Sequence, residues 1–490
     1  MPKFSKSVFI FTRDLRIEDN TALIEACKNS NQVIPCFVFN KKIIQKDGFR
    51  LRFLLDSLDD LKGQFSKRNS KLQVAIGKYS ETLEQIKEID AVFINSDFTP
   101  FAKKRESEIA NFCNKKGVVF FRYVDHLMYD PSFVKTKMGK PYTIFSQFFR
   151  ASSQLQVPKP TNTEFTNFYS KKIFDEDVGS NYNISNHGGR NNALKILDSI
   201  SEFLDYEKKR NFPELNSTTK LSAHNRFGTV SVREVYHALV DSLGKNHTLI
   251  SEIHWREFFN HVLYHYPSVI SESFNKRHSN MKWQKNQARL DAWREGKTGF
   301  PIVDAGMREL NQTGFMHNRV RMIVASFLTK DLHLDWKEGA RYFAEKLIDY
   351  DPAVNNGNWQ WVASTGADSQ PYFRIFNPSL QTDRFDPKQI YIQKWLGKDL
   401  QVGYGCTEIG TVASGSAEEV ADIDGCVGKP LEGITVEIDA GYIRIKSPTM
   451  AENYLDFAEM DAIHFRNGWF YPGDMGYITK DGRLVITKNR

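Results

Sequence analysis

Cysteine is scarce in this 490-residue chain. There are five, Cys27, Cys36, Cys113, Cys406 and Cys426. They are scattered, odd in number and lack metal-ligand spacing, which argues against a disulfide framework or a zinc site and for a reducing compartment, cytoplasmic or nuclear. No run of about 18 apolar residues occurs, so no membrane span is expected. Met1–Ile17 places Arg13, Asp14 and Arg16 directly after a short apolar run, which reads as a buried strand and turn and not as a signal peptide. A G-x-G-x-x-G fingerprint is missing, and so is a Ser/Thr/Gly-rich phosphate loop of the T-S-G-T-T-G type.

What is present is ordinary in bulk and uneven in detail. Hydrophobic residues make up 41% and charged residues 26%, as in a soluble protein long enough for two or three domains. Residues 401–490 hold 8 Lys+Arg against 14 Asp+Glu, so the net +7 divides into −6 there and +13 over residues 1–400. The longer part suits a polyanion and the last 90 residues do not. Charge of this kind is also what a solvated Lys-rich face looks like.

Short apolar runs at Ser7–Phe11, Val33–Phe39, Ala91–Ile94 and Val118–Phe121 alternate with helical patterns such as Arg50–Phe65. That alternation predicts a doubly wound parallel sheet. Residues 151–190 carry Pro158, Pro160, Gly188, Gly189 and many Asn, Ser and Thr, the composition of an irregular surface-wrapping linker. From Asn192 to about Leu396 helical periodicity dominates, as in Ala193–Phe203, Val230–Leu243, Trp255–Tyr264 and Met322–Leu328. The fold expected is an α/β N-terminal doubly wound parallel sheet domain (1–130), a linker (131–190), an all-α domain (191–398) and a β-rich C-terminal fragment (399–490), with strands at Ile434–Ile438 and Tyr442–Ile445.

The densest stretch is Trp336–Asn377. Trp336, Trp359 and Trp361 fall within 26 positions, with Asn355 and Asn356 beside Asp349 and Asp351. Indoles with a few amides suit a pocket for a flat, hydrogen-bonding ring system. Aromatics at helical spacing more often mean a packed core. The residue order decides between them. N-N-G-N-W-Q-W-V-A-S-T-G (Asn355–Gly366), P-Y-F-R-I-F-N-P (Pro371–Pro378), F-T-R-D-L-R-I-E-D-N (Phe11–Asn20) and P-Y-T-I-F-S-Q-F-F-R (Pro141–Arg150) occur in order. In these blocks the chain resembles the photolyase/cryptochrome family, specifically its class I DNA photolyases, over roughly residues 4–396.

The resemblance implies light-driven repair of cyclobutane pyrimidine dimers by reduced FAD, with dimer-containing DNA as partner, no membrane and a monomeric state. It places FAD among Tyr206, Thr218, Thr219, Lys220, Leu221, Ser222, Asn318, Arg321, Asp349, Asp351 and Asn355. Taken alone, Thr218–Ser222 is a turn that would cap a helix, and short hydroxyls with free amides there also make an anion site. Arg321 is expected to pair with Asp349. Asn355 matches the residue facing flavin N5, where plant cryptochromes carry Asp, and so favours repair over the alternative, a blue-light receptor.

Glu252, Trp255 and Met322 match the lesion pocket; Glu252 and Trp255, three apart, share a helical face. Members that repair the (6-4) photoproduct carry His-rich signatures around the block that here reads H-N-R-V-R-M, so Met322 favours the cyclobutane dimer. Trp359, Trp336 and Trp283 match an electron-hopping chain, while Trp293, Trp361 and Trp395 are read as structural. Arg210, Arg256, Arg319 and Arg374 are expected at DNA. Asn95–Glu106 lies where relatives line an antenna pigment, a folate or a deazaflavin. For Arg13 and Asp14 a turn-stabilising ion pair is at least as good a reading as pigment contact.

At Trp395–Leu396 this resemblance stops, where family members continue for several dozen helical residues. V-G-Y-G-C-T-E-I-G, G-W-F-Y-P-G-D-M-G and D-G-R-L-V-I-T-K-N-R instead resemble motifs of AMP-binding, adenylate-forming enzymes. There Thr407 and Glu408 would serve ATP and Mg²⁺, Asp474 the ribose and Arg490 the hinge. The missing phosphate loop argues against adenylating activity.

Overall fold

In the N-terminal third the central strands carry continuous apolar runs, Val8–Phe11, Val33–Phe39 and Ala91–Ile94, so both sheet faces must be covered there. A computed structural model describes residues 2–40, 48–162, 164–174, 187–278, 281–397, 401–406, 408–451, 454 and 458–488. Strands β1 (Phe4–Phe11), β2 (Ser30–Phe39), β3 (Gln73–Ile76), β4 (Ala91–Asn95) and β5 (Val119–Tyr123) form a parallel sheet in the order β3-β2-β1-β4-β5. Side chains alternate between two cores. Phe9, Phe11, Phe37 and Phe39 enter one, and Val8, Ile10, Cys36 and Val38 the other. Helices α1 (Thr21–Asn29), α2 (Phe49–Ser66) and α3 (Pro100–Lys116) connect the strands. Asn20 caps α1, and Thr99 caps α3 ahead of Pro100. Strand β3 was not expected, because four residues with one polar member give too little alternation to read. Cys27, Cys36 and Cys113 are buried in these cores, and burial pushes the Cys113 thiol up to about 11.

The Pro- and Asn-rich segment that follows is strapped to the sheet. Phe168 bridges Val33 in parallel, and Asn167 Nδ2 donates to the carbonyls of Cys27 and Ser30 at 3.0 and 2.8 Å. Phe168 and Phe174 are buried in the two sheet cores.

The helical part supplies the elements that matter below: α4 (Phe145–Ser152), α5 (Leu221–Phe227), α6 (Thr248–His265), α7 (Asn318–Ser326), α8 (Trp336–Lys346) and α9 (Pro352–Val362). The chain leaves α7 through a π-helical turn, Phe327–Asp331, where a plain helix was expected. Helix α9 packs against α8 and α6 through two glycines. A Cβ on Gly339 would stand 2.1 Å from Trp359 Cη2, and one on Gly357 2.1 Å from Phe259 Cδ1. The glycine of the N-N-G-x-W signature is therefore a close-packing residue.

These residues, with the N-terminal sheet, belong to one compact unit, Met1–Lys388; a second is Gln389–Arg490. The second has a helix, Ile390–Leu396, and an antiparallel sheet with its own core of Val412, Ile443, Ile445, Phe470 and Leu484. The two expected strands are present as the hairpin Thr435–Asp439 and Tyr442–Lys446.

Substitution Gly357→Ala should destabilise the protein by about 1–3 kcal/mol through overpacking against Phe259. Gly63→Ala, in open space on α2, should stabilise it by about 0.5–1 kcal/mol. Urea unfolding of both variants beside the parent measures the difference.

Candidate active site

Helix α9 starts where it does because of one carboxylate. Asp351 Oδ1 accepts from the amides of Ala353 and Val354 at 2.9 and 3.3 Å, with Pro352 in the first helical position. Its Oδ2 receives Arg13 Nη2 at 2.5 Å, and Arg13 Nη1 reaches Asp97 at 3.3 Å. The pair is dry, with Arg13 4% and Asp351 6% exposed. The turn-stabilising Arg13–Asp14 pair, one of the two readings above, does not form. Asp14 instead accepts from the Thr12 amide and Asn95 Nδ2, both at 2.6 Å, and burial lifts its carboxyl to about 6. Burial alone would also raise Asp351, but Arg13, Arg226 and Arg256 outweigh it and hold its carboxyl below the usual range.

So fixed, α9 lines one side of a cavity of about 470 Å³. Tyr206 and the turn Thr218–Ser222 line it as well, where Lys220 adopts a left-handed conformation that turns the chain into α5. One turn into α5, Asn225 lines the cavity, its buried Oδ1 lacking a partner among the described residues. Asn318, Arg321 and Met322 come from α7. Arg321 clasps Asp349 with two bonds, Nη1–Oδ1 at 3.2 Å and Nη2–Oδ2 at 2.9 Å, as expected. Asn355 donates from Nδ2 to the Ala340 carbonyl at 3.1 Å, which leaves its Oδ1 as the acceptor for a ligand.

Helix α6 brings Glu252 and Trp255 to the same cavity. Glu252 accepts from Arg210 Nη1 at 2.6 Å. The Trp255 indole lies flat on Phe145 of α4, ring centres 3.6 Å apart and planes 7° apart, so one of its faces is already covered. Arg319 donates to Asn211 Oδ1 at 2.7 Å and stacks 4.3 Å over Phe385. Burial, with repulsion from Arg210, Arg384 and Arg374, pushes its guanidinium down to about 10. Arg210 is answered by Glu252, but among the described residues no carboxylate pairs with Arg319, Arg374 or Arg384, an excess of positive charge that suits phosphates.

The structure alters two expectations. Arg256, expected at DNA, has a side chain only 12% exposed and donates to Glu257 at 2.9 Å. It lines the cavity and acts on Asp351, too deep to meet a backbone phosphate. Trp361, read as structural, lines the cavity with Met322. Trp293 is buried as expected, but its ring stands edge-on to Trp359 at 6.1 Å, its Nε1 donating to the Val324 carbonyl. Trp359 and Trp336 are buried and Trp283 half-buried. Asn225, Arg226 and Phe145 were not singled out. The spacing of Asn225 from Ser222, one helical turn, was the available clue for that residue; the partners of the other two are distant in sequence.

Residues 249–402 match the sequence model of the FAD binding domain of DNA photolyase, and residues 7–164 that of DNA photolyase. A Halobacterium salinarum protein named deoxyribodipyrimidine photo-lyase is 34% identical over 425 residues, spanning 79% of this chain and 88% of that one. The chain belongs to the DNA photolyase family. A solved archaeal photolyase from Sulfolobus tokodaii with two FAD molecules superposes with a TM-score of 0.70 at 36% identity, over 80% of this chain and 90% of that one. A bacterial class III photolyase from Agrobacterium tumefaciens gives 0.74 at 33%, over 81% and 88%. The matched models end at residue 402, so the likeness of the second unit to adenylate-forming enzymes rests on its motifs alone. Of the residues named there, Thr407 and Arg490 lie outside the described residues. Glu408 accepts from the Tyr454 hydroxyl at 2.5 Å, and Asp474 from that of Tyr404 at 2.6 Å.

The cavity of this photolyase-family chain fits a flavin dinucleotide. It combines amides and hydroxyls at Thr218–Ser222 for phosphates, an orphan acceptor at Asn225 and a broad apolar wall.

Arg13→Met leaves Asp351 buried beside fewer cations and should cost about 3–5 kcal/mol, whereas Asp351→Asn, which still caps α9, should cost less. A carboxyl held below its unfolded value of about 3.9 adds stability above that pH and loses it as pH falls through the native value. The gap between parent and Arg13→Met should therefore be full at pH 6 and narrow as pH falls from about 4 towards 2. Unfolding curves across that range check both statements.

Proposed function

We propose that this protein holds FAD in the cavity and uses blue light to split cyclobutane pyrimidine dimers in DNA. The observation that carries the reading is that one continuous cavity is lined both by the flavin-side groups, Asn355, Arg321 and Thr218–Ser222, and by the lesion-side groups, Glu252, Trp255 and Met322. The curated relatives' names support it.

Bound, reduced FAD supplies light-driven electron donation and return, chemistry that opens a cyclobutane ring without net redox change. The chain does the rest. Asn355, tethered to the Ala340 carbonyl, offers an acceptor and no acidic proton at the flavin edge. Glu252, steadied by Arg210, accepts from a pyrimidine N–H. Trp255 offers its uncovered face to an extruded pair, and Trp361 and Met322 supply further apolar lining. Damaged bases pair poorly, so extruding them costs less than extruding intact ones. Arg210, Arg319 and Arg374 meet phosphates, and the packed rings exclude water.

Trp359, Trp336 and Trp283 form the route by which an oxidised cofactor is re-reduced. We place any antenna pigment by the carboxyl end of β4, near Asn95–Glu106. The S. tokodaii photolyase with two FAD molecules, described as implying a novel light-harvesting cofactor, makes FAD a candidate there beside folate and deazaflavin. We assign class I on motif order, a monomeric state, and a reducing compartment on five unbridged cysteines. For the second unit we propose no adenylating activity, since no phosphate loop accompanies its motifs.

Illumination of the flavin-loaded protein with thymine-dimer DNA should restore intact thymines in a light-dependent way. Flavin bound without such repair would favour the receptor reading. Glu252→Ala should keep FAD and lower dimer affinity by about tenfold, the worth of a charge-assisted hydrogen bond. Trp359→Phe should slow photoreduction of oxidised flavin and spare repair by pre-reduced protein, which absorbance and dimer assays separate.

A further inference from the structure

Lys330 is a buried cation without an acid to answer it. It lies on the π-helical turn Phe327–Asp331 and is 4% exposed. Its Nζ donates to Ser364 Oγ at 2.6 Å and to the Tyr372 carbonyl at 3.0 Å, and stands 4.1 Å from the centre of the Tyr372 ring. Among the described residues no carboxylate pairs with it. Three neutral partners on two segments hold one ammonium, an arrangement costly to bury and therefore in need of an explanation.

What the ammonium holds is the loop Pro371–Phe376. Phe373 is 84% exposed, and Tyr372, Arg374 and Ile375 are exposed as well. The loop's other tie to the same stretch of chain is the Phe376 amide, which donates to Ser326 Oγ at 3.1 Å, just before the π turn. It starts beside the cavity, because the Gln370 amide donates to the carbonyl of Trp361. Asp368, slightly earlier, accepts from the amide of Phe145, the ring under Trp255. The π turn thus grips a loop whose exposed cation and aromatics stand next to the lesion-side lining.

We propose that Lys330 is a positioning residue for binding damaged DNA: its ammonium clamps the Tyr372 carbonyl and ring, so that Arg374 and the exposed apolar side chains of the loop are presented to the duplex beside the cavity. This rests on the repair reading above. The clamp requires the charged form. Burial pushes Lys330 down to about 8, so the ammonium is present at pH 7 and largely lost at pH 9. The titratable neighbours are Tyr372 on the loop and Asp331 and His333 on its own segment; Asp331 interacts with His333, and burial is what shifts Lys330.

The test is binding of a labelled thymine-dimer duplex and its undamaged counterpart by fluorescence anisotropy at pH 7 and pH 9. Parent, Lys330→Met and Lys330→Arg are compared, with flavin absorbance confirming an intact pocket. The parent should lose affinity for dimer DNA by about fivefold between the two pH values, because a contact worth about tenfold is present in about nine-tenths of molecules at pH 7 and about one-tenth at pH 9. Lys330→Met should be weak and flat, and Lys330→Arg, which does not titrate, should bind well and flat. Should Lys330→Met lose its flavin, the parent's fall and its absence in Lys330→Arg carry the decision. Parent-like binding by Lys330→Met, or an unchanged pH fall in either variant, overturns the proposal and leaves the repair reading standing. A parent that does not discriminate dimer DNA at either pH overturns both.

Discussion

The ion pair between Arg13 and Asp351 ties the end of β1 to the first turn of α9, 338 residues later in the chain. One carboxylate answers a buried guanidinium and caps a helix at the same time. Asn355 lies one turn further along that helix and Trp359 two, so the position of each follows from where the helix begins. A buried pair of this kind is poor evidence for net stability, because desolvation cancels much of its attraction. Its value here is register. With Arg13 held also by Asp97, α9 has one starting point, and the cavity wall it forms is set before any cofactor arrives.

Packing then converts that register into a shape. Gly339 and Gly357 let α8 and α6 approach α9 to distances that a methyl group would forbid. Trp359 fills the space over Gly339, and Phe259 the space over Gly357. The cavity that remains is lined by side chains of all three helices, among them Glu252 and Trp255 of α6, Phe343 of α8 and Asn355 of α9. Polar groups within that wall are mostly engaged: Arg321 by Asp349, Asn355 by Ala340, Glu252 by Arg210. The orphan at Asn225 is an exception, as a group awaiting a ligand should be.

Much of this was legible in the linear sequence, and what was not has a physical cause. Strands β1, β2, β4 and β5 announce themselves as short apolar runs, and helix α2 by its helical pattern. The ordered motifs bring Asn355, Arg321, Glu252 and Trp255 to one cavity. Strand β3 was too short to carry a period. Neither reading offered for Arg13 named its partners, because adjacent Asp14 is the obvious neighbour in sequence, while Asp97 and Asp351 are 84 and 338 residues away. Arg256 looked like a surface cation because Arg usually is one. Its burial follows from α6 being enclosed on most sides, which a single helix's composition does not reveal. Trp361 and Trp359 are two positions apart and both line the cavity, a placement that depends on the helix phase that Asp351 sets. Lys330 was invisible for the same reason, since a π turn breaks the 3.6 period on which its placement would be read.

A crystal structure of the protein grown with FAD and a short duplex carrying one thymine dimer tests the central claim most directly. The account predicts the flavin phosphates against Thr218–Ser222, its ring edge at the Asn355 amide, and the dimer turned out of the helix onto the open face of Trp255 within reach of Glu252. A flavin seated elsewhere, or a dimer still stacked in the duplex away from Glu252, would contradict it.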